Sequence, residues 1–228
     1  ASKEANADFE IRAVVTMPPA PAGRKKVLMP SPVHDVADRL KIPVMHPEKA
    51  KDPDFLEMLA GMNPDLCITA AYGNFLPTKF LKIPTYGTLN IHPSLLPKYR
   101  GAAPVQRCLE NGDDRTGVSV VFTVLKMDAG PIVRQVEIPL EGHEKADEVL
   151  ADMFELGTAQ LLDALPSVWD ESVVRNDQDD DSASAADKLS VEDAKLDLSV
   201  VSAATAHNRA RGYAIWPGVW TSMVIGNN

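Results

Sequence analysis

The chain alternates short apolar runs with stretches in which apolar residues recur at helical spacing. Runs rich in β-branched and apolar residues predict strands at 9–16, 65–72 and 88–92, and amphipathic spacing predicts helices at 33–40 and 52–62. Strands and helices that alternate in this way form βαβ units with right-handed crossovers. We therefore predict an α/β fold with a Rossmann-like, mainly parallel sheet and helices on both faces.

The second half of the chain begins with a different pattern. Apolar residues alternate in a predicted strand at 118–126, and a second strand at 132–138 follows the turn at 127–130. So tight a turn makes the two strands an antiparallel hairpin. Helical spacing then predicts a long helix at 145–165, which ends before Pro166.

The composition changes beyond that proline. Residues 176–187 hold five aspartates and no large apolar residue, which is typical of a linker. An amphipathic stretch follows at 194–211, but about forty residues are too few for a sizeable core of their own. We predict a main domain at 1–175, an acidic linker at 176–190 and the start of a second domain at 191–228.

Composition and charge narrow the class of protein. The chain is 45% hydrophobic and 24% charged, and no apolar run in it is long enough to cross a membrane. Its net charge of −9 argues against a protein that coats nucleic acid non-specifically, although a local basic patch is compatible with that charge. Cys67 and Cys108 lie in apolar surroundings without metal-ligand spacing, which predicts buried free thiols in a reducing compartment.

The candidate chemistry lies at the end of the predicted strand 88–92. Because successive strand side chains point to opposite faces, Asn90 and His92 project from the same face. Polar groups on an apolar strand must be hydrogen-bonded or in use. Asp128, in the hairpin turn, is placed to reach across the end of the sheet towards the imidazole.

A carboxylate, an imidazole held protonated by it and an amide together suit acyl transfer to an amine. The amide and an imidazolium can stabilise an oxyanion, and the carboxylate–imidazole pair can take the proton of the amine. The same spacing leaves open that His92 only caps the following loop and that Asp128 is only a turn residue. No serine or cysteine nucleophile, metal-ligand spacing, Walker loop or dinucleotide fingerprint stands out, which favours direct transfer between two bound substrates.

A basic loop precedes the first predicted helix. The loop spans residues 20–32, is rich in proline and carries Arg24, Lys25 and Lys26 at its centre. Prolines stiffen the loop, and the cations suit contact with phosphate. A solvated surface loop is an equally good interpretation of the charge alone.

Two motifs around the polar pair are specific. Residues 90–104 read Asn-Ile-His-Pro-Ser-Leu-Leu-Pro-Lys-Tyr-Arg-Gly-Ala-Ala-Pro, and residues 127–130 read Met-Asp-Ala-Gly. Together they resemble the signature of formyltransferases that use 10-formyltetrahydrofolate. The basic loop with Met-Pro-Ser-Pro at 29–32, and Trp216-Pro217 near the end of the chain, resemble the members of this family that act on methionyl initiator tRNA.

The resemblance implies roles for individual residues. Asn90, His92 and Asp128 would attend the attack of the methionyl amine on the formyl carbon of 10-formyltetrahydrofolate, without a metal. The basic residues at 24–26 would approach the acceptor end of the initiator tRNA. The implied folate contacts are Ser94, Leu95, Leu96 and Pro97, together with the backbone of Phe75, Leu76 and Pro77.

The resemblance also implies that this chain lacks segments that the family has at both ends. The family begins with a strand and a Gly-Thr-Pro-like turn, neither of which we find before Phe9, so we expect a central strand to be missing. Residues 191–228 would be only the start of a small C-terminal β-barrel-type domain that contacts tRNA.

Two other functions remain open on the sequence. One is the same folate-dependent chemistry on a sugar amine or glycinamide ribonucleotide, and the other is a non-catalytic RNA-binding remnant. We expect a monomer without a membrane segment, in a bacterial cytoplasm or in the matrix of a mitochondrion or plastid.

Overall fold

A computed structural model describes residues 9–23 and 26–222, which fall into two compact units. Of the described residues, 9–23, 26–67 and 72–87 belong to one unit, and 68–71 and 88–222 belong to the other. Within the described ranges, no helix combines the length and apolar character needed to cross a membrane.

The first unit contains short strands and helices. Its strands are β1 (Val14–Val15), β2 (Ala20–Ala22), β3 (Val27–Met29) and β4 (Val44–Met45), and its helices are α1 (Pro32–Arg39), α2 (Pro53–Gly61) and α3 (Thr78–Leu81). β1 pairs in parallel with β4, so the strand predicted at 9–16 is shorter than expected. β2 pairs antiparallel with β3, and the predicted basic loop therefore contains a β-hairpin.

The helices of the first unit begin at the capping residues. The Ser31 hydroxyl accepts a hydrogen bond from the backbone N–H of His34, and the Asp52 carboxylate accepts one from that of Phe55. A proline follows each cap, where its missing N–H costs nothing. α2 then buries Phe55 in a core that also contains Phe80 of α3.

The second unit is built around a four-stranded sheet. Its strands are β5 (Cys67–Ala70), of which residues 68–70 belong to this unit, β6 (Thr88–His92), β7 (Arg115–Phe122) and β8 (Ile132–Pro139), and its helices are α4 (Pro104–Asn111), α5 (Ala146–Trp169) and α6 (Ala203–Gly212). The strand order is β5-β6-β7-β8. β7 runs antiparallel to both β6 and β8.

The α/β class, with helices on both sides, is confirmed, and the sheets are mixed. The expectation of a mainly parallel sheet is wrong, because three of the four pairings with a described register are antiparallel. The physical reason is the connectivity: the chain returns through α4 to run β7 against β6, and the predicted hairpin then adds β8 antiparallel to β7.

α5 packs closely on the sheet. A Cβ at Gly157 would lie 2.4 Å from Ile91 Cγ2 and 2.7 Å from Val118 Cγ2, so this helix position requires glycine. The helix also continues past Pro166, where the sequence predicts its end. Proline removes one N–H donor and crowds the preceding turn, but the hydrogen bonds after it still form: the Asp170 N–H donates to the Pro166 carbonyl at 3.1 Å.

The segment that follows α5 contacts other parts of the second unit at several points. The backbones of Asn176 and Ile132 exchange two hydrogen bonds, and Ala186 donates to the carbonyl of Arg100 at 2.7 Å. Tyr213 is fully buried near the end of α6. The division into a main domain, an acidic linker and a second domain stays a prediction.

The two cysteines are free, as predicted. Cys108 is buried and Cys67 is half-buried. Burial raises the pKa of each thiol to about 11. Both side chains are therefore protonated thiols near neutral pH, and neither is an activated nucleophile.

Candidate active site

β6 presents two different faces. Leu89 and Ile91 are buried, and Ile91 lies under Gly157 of α5. The alternate residues, Asn90 and His92, point to the opposite face, as the sequence predicts. The strand ends at His92, which is 4% exposed.

The imidazole of His92 is held through one nitrogen. Nε2 donates a hydrogen bond to the backbone oxygen of Tyr99 at 2.9 Å. Because a carbonyl oxygen only accepts, Nε2 carries the proton in this contact. Nδ1 is therefore the nitrogen whose protonation can change.

Asp128 faces that second nitrogen. Its Oδ2 lies 3.7 Å from Nδ1 of His92 and accepts a hydrogen bond from the Gly101 N–H at 2.8 Å. Asp128 occupies the turn between β7 and β8 with a φ of 48°. The structure thus brings His92 and Asp128 together from positions 36 residues apart in the sequence, as the hairpin turn predicts.

Burial lowers the pKa of His92 below its usual value, and the Asp128 carboxylate and the Tyr99 carbonyl oppose this without overcoming it. The imidazole is therefore mainly neutral near neutral pH in the free protein. This differs from the expected protonated imidazole, since desolvation outweighs the single nearby carboxylate. A proton that reaches Nδ1 creates an imidazolium beside Asp128.

Asn90 offers an amide donor on the same face. Its Oδ1 accepts a hydrogen bond from the Thr69 hydroxyl of β5 at 2.8 Å. The strand rise places Asn90 about 7 Å from His92 along β6. Over the ranges that the structure describes, the amide nitrogen of Asn90 has no hydrogen-bond partner, so it is available to a ligand.

The loop after β6 is fixed by side chains from β7 and β8. The Ser119 hydroxyl donates to the Ser94 carbonyl at 2.7 Å and accepts from the Leu96 N–H at 3.2 Å. Gln135 Nε2 donates to the Leu96 carbonyl at 2.9 Å. Neither side chain is predicted from the sequence, although a serine within the apolar run 116–122 is a signal of such a role, and Ser119 is fully buried.

The predicted folate residues of this loop differ in exposure. Ser94 and Leu96 are buried, and the Ser94 hydroxyl donates to the Lys98 carbonyl at 2.7 Å. Leu95 and Pro97 are half-buried and line a cavity of about 360 Å³, whose lining does not include His92 or Asp128. Contact of this loop with folate stays a prediction.

The remaining predicted residues lie in the first unit. Phe75 is 68% exposed, Leu76 is buried in the core, and Pro77 precedes the first turn of α3. Arg24 and Lys25 lie outside the described residues, while Lys26 is exposed in the turn between β2 and β3. Their folate and tRNA contacts also stay predictions.

Metal-binding side chains do not cluster in the part of the chain that the structure describes. No group of three or more histidine, cysteine, aspartate or glutamate side chains there could hold an ion.

Comparison with known proteins places these residues in a family context. A family model described as formyl transferase matches residues 1–165. A methionyl-tRNA formyltransferase of Staphylococcus epidermidis is 41% identical over 217 residues, which are 95% of this chain and 70% of that protein. One from Thermotoga maritima is 40% identical over 210 residues, which are 92% of this chain and 67% of that protein.

Solved structures share the fold at low identity. A sugar N-formyltransferase from a Shewanella species aligns with a TM-score of 0.67 at 16% identity, over 82% of this chain and 74% of that chain. HypX from Aquifex aeolicus in complex with tetrahydrofolic acid aligns with a TM-score of 0.63 at 19% identity, over 82% and 32%. At these identities the likeness shows the fold alone.

Proposed function

The chain belongs to the formyl transferase family, and we propose that it transfers a formyl group from 10-formyltetrahydrofolate to the amino group of methionyl initiator tRNA. The observation that carries the proposal is the buried imidazole of His92, whose free nitrogen faces Asp128 at 3.7 Å on the strand that also presents Asn90. The names of relatives about 40% identical over nearly the whole chain support tRNA as the acceptor.

The donor set fits a formyl group. When bound, the folate co-substrate supplies an activated formyl carbon attached to nitrogen. The amide nitrogen of Asn90, which has no hydrogen-bond partner among the described residues, suits the formyl oxygen, since a donor aimed at that oxygen stabilises the negative charge that develops during attack. Asn90 therefore acts as the oxyanion donor in our proposal.

The proton balance assigns the other two side chains. The reaction forms a C–N bond to the methionyl amine, breaks the C–N bond to folate and moves one proton from the first nitrogen to the second. Neutral His92 accepts that proton at Nδ1, and Asp128 stabilises the imidazolium. His92 then returns the proton to the leaving nitrogen, so neither residue is consumed and no covalent enzyme intermediate forms.

A direct assay tests the function. The protein is incubated with 10-formyltetrahydrofolate and, separately, methionyl initiator tRNA, an amino-sugar nucleotide and glycinamide ribonucleotide. We expect formylmethionyl-tRNA to form with a kcat/KM at least about 100-fold above that for either small amine. The reason is that binding of the rest of the tRNA stabilises the transition state of the tRNA reaction and is absent for a small amine. Faster transfer to a small amine would replace the proposal by the sugar or nucleotide alternative, and no transfer to any amine would favour the RNA-binding remnant.

The remaining assignments follow from this function. Arg24, Lys25 and Lys26 are proposed to contact the acceptor end of the tRNA, supported by the exposure of Lys26 in the hairpin turn.

Free thiols at Cys67 and Cys108 support a reducing compartment, either a bacterial cytoplasm or an organelle matrix. The protein is proposed to act as a monomer, which its mass in solution tests.

The Thr69 hydroxyl supplies a prediction about Asn90. Replacing Thr69 by valine keeps the shape and removes the bond to Asn90 Oδ1, so the amide is free to turn. We expect kcat for formyl transfer to fall by about tenfold with little change in KM, as loss of one orienting hydrogen bond implies. Thr69→Ser keeps the hydroxyl and should retain most of the activity; equal losses in both variants would contradict the orienting role.

A further inference from the structure

Gln178, in the aspartate-rich segment after α5, contacts the turn that carries Asp128. Its Nε2 donates to the carbonyl oxygen of Asp128 at 2.8 Å and to that of Gly130 at 2.7 Å. Its Oε1 accepts from Nε and Nη2 of Arg100 at 3.0 and 2.8 Å. Both donors and the acceptor of the amide are thus used, so the Gln178 side chain is fully hydrogen-bonded.

Arg100 joins the same network from the loop after β6. Its guanidinium is 10% exposed, and its Nη1 lies 2.7 Å from Oδ1 of Asp180. Lys126, just before the turn, also pairs with Asp180. The backbone N–H of Arg100 donates to Ser184 at 2.8 Å, so the segment is bound along its length and not by one side chain.

The geometry of Asp128 depends on the turn. Its backbone is left-handed, at a φ of 48°, which costs free energy for a residue other than glycine. The carboxylate of this strained residue must reach both Nδ1 of His92 and the Gly101 N–H. A Cβ at Gly130 would lie 1.6 Å from the Phe122 carbonyl oxygen, so the turn packs closely against the end of β7. Gln178 holds the turn through the carbonyl oxygens of Asp128 and Gly130.

We propose that Gln178 is a positioning residue for the formyl transfer: it holds the turn so that the Asp128 carboxylate faces His92. Only the expected effect of Gln178 on the kinetics rests on the proposed function. The distance between carboxylate and imidazole is a property of the fold and can be measured without any substrate. Over the described ranges, Asp128 is the charged group that faces His92, so the titration of His92 reports that distance.

Three variants separate the possible roles of the segment. Gln178→Ala removes all four contacts. Gln178→Glu keeps the acceptor for Arg100, and hence the docking of the segment, but presents a carboxylate to two carbonyl oxygens. Asp181→Ala is the matched control, because Asp181 lies in the same segment, is exposed and makes no side-chain hydrogen bond or ion pair with another described residue.

Two measurements are made on each purified full chain: the kinetics of formyl transfer to methionyl initiator tRNA, and the titration of the His92 ring followed by NMR. We expect Gln178→Ala and Gln178→Glu to lower kcat by about 10- to 100-fold, as a small misplacement of a catalytic group does, with KM within about twofold. In both variants the His92 titration should move to lower pH, because the carboxylate no longer faces the ring. Asp181→Ala should change neither.

The outcomes distinguish the two proposals. If kcat and the His92 titration stay like those of the wild type in both Gln178 variants, the positioning role is wrong. A loss of kcat without a change in the titration also overturns it, since the segment then acts by another route. If no amine is formylated by any variant but the titration still moves, the positioning of Asp128 stands and the proposed function fails.

Discussion

Replacing His92 by alanine should lower kcat for formyl transfer by up to about 10⁴-fold, the range of a general acid–base group. The imidazole is the group that takes the proton of the attacking amine at Nδ1 and gives it to the leaving nitrogen. Alanine leaves the Tyr99 carbonyl and the Asp128 carboxylate without the ring that each of them faces, so the proton of the amine loses its acceptor. The loss should appear in kcat and not in KM.

The measurement needs two controls. Binding of methionyl initiator tRNA to His92→Ala should match the wild type, which separates the loss of chemistry from a loss of substrate. His143→Ala removes an imidazole whose side chain is 72% exposed, and should leave the kinetics unchanged. A His92→Ala protein that is folded by thermal melting and still transfers formyl groups within about tenfold of the wild-type rate would contradict the proton-transfer role.

The elements that could be predicted were those defined by local signals. Ser31 and Asp52 mark the starts of α1 and α2, because each is followed by a proline and an amphipathic pattern. The tight turn at 127–130 predicts the β7–β8 hairpin. The direction of β7 relative to β6 could not be predicted, because it depends on how the chain returns through α4 and not on the apolar pattern of either strand.

The same distinction applies to the candidate site. Asn90 and His92 share a face because of strand periodicity alone, and the predicted hairpin brings Asp128 near. The side chains that hold these residues in place are different: Thr69, Ser119 and Gln178 bond to partners 21 to 78 positions away in the sequence. No periodicity or capping rule encodes such pairs. The aspartates around Gln178 indicated a linker, whereas the structure gives this glutamine four hydrogen bonds to the loop and turn of the site.

Asp128→Asn tests whether the negative charge of Asp128 stabilises the imidazolium of His92. Asparagine keeps the size of the side chain and an oxygen for the Gly101 N–H, but it removes the charge beside Nδ1 of His92. We expect kcat to fall by about 10³-fold, since an imidazole that has lost its carboxylate partner stabilises its proton poorly. Asp114→Asn is the matched control, because its carboxylate side chain is 86% exposed and should not affect the rate.

The pH dependence of this variant has a definite sign. Burial already lowers the pKa of His92, and Asp128 opposes that shift, so removing the charge lowers the pKa further. The unfolded chain then binds more protons than the folded protein between the folded pKa and the unfolded value of about 6.5, so the free energy of unfolding rises with pH across that window. The stability that comes from the lowered pKa of His92 is fully present above the pKa of the unfolded chain. It is lost as the pH falls towards the pKa of the folded protein. Asp128→Asn should therefore lose more stability than the wild type on acidification below that value, measured by denaturant unfolding. A His92 titration that moves to higher pH would show that Asp128 does not act on the imidazole through its charge.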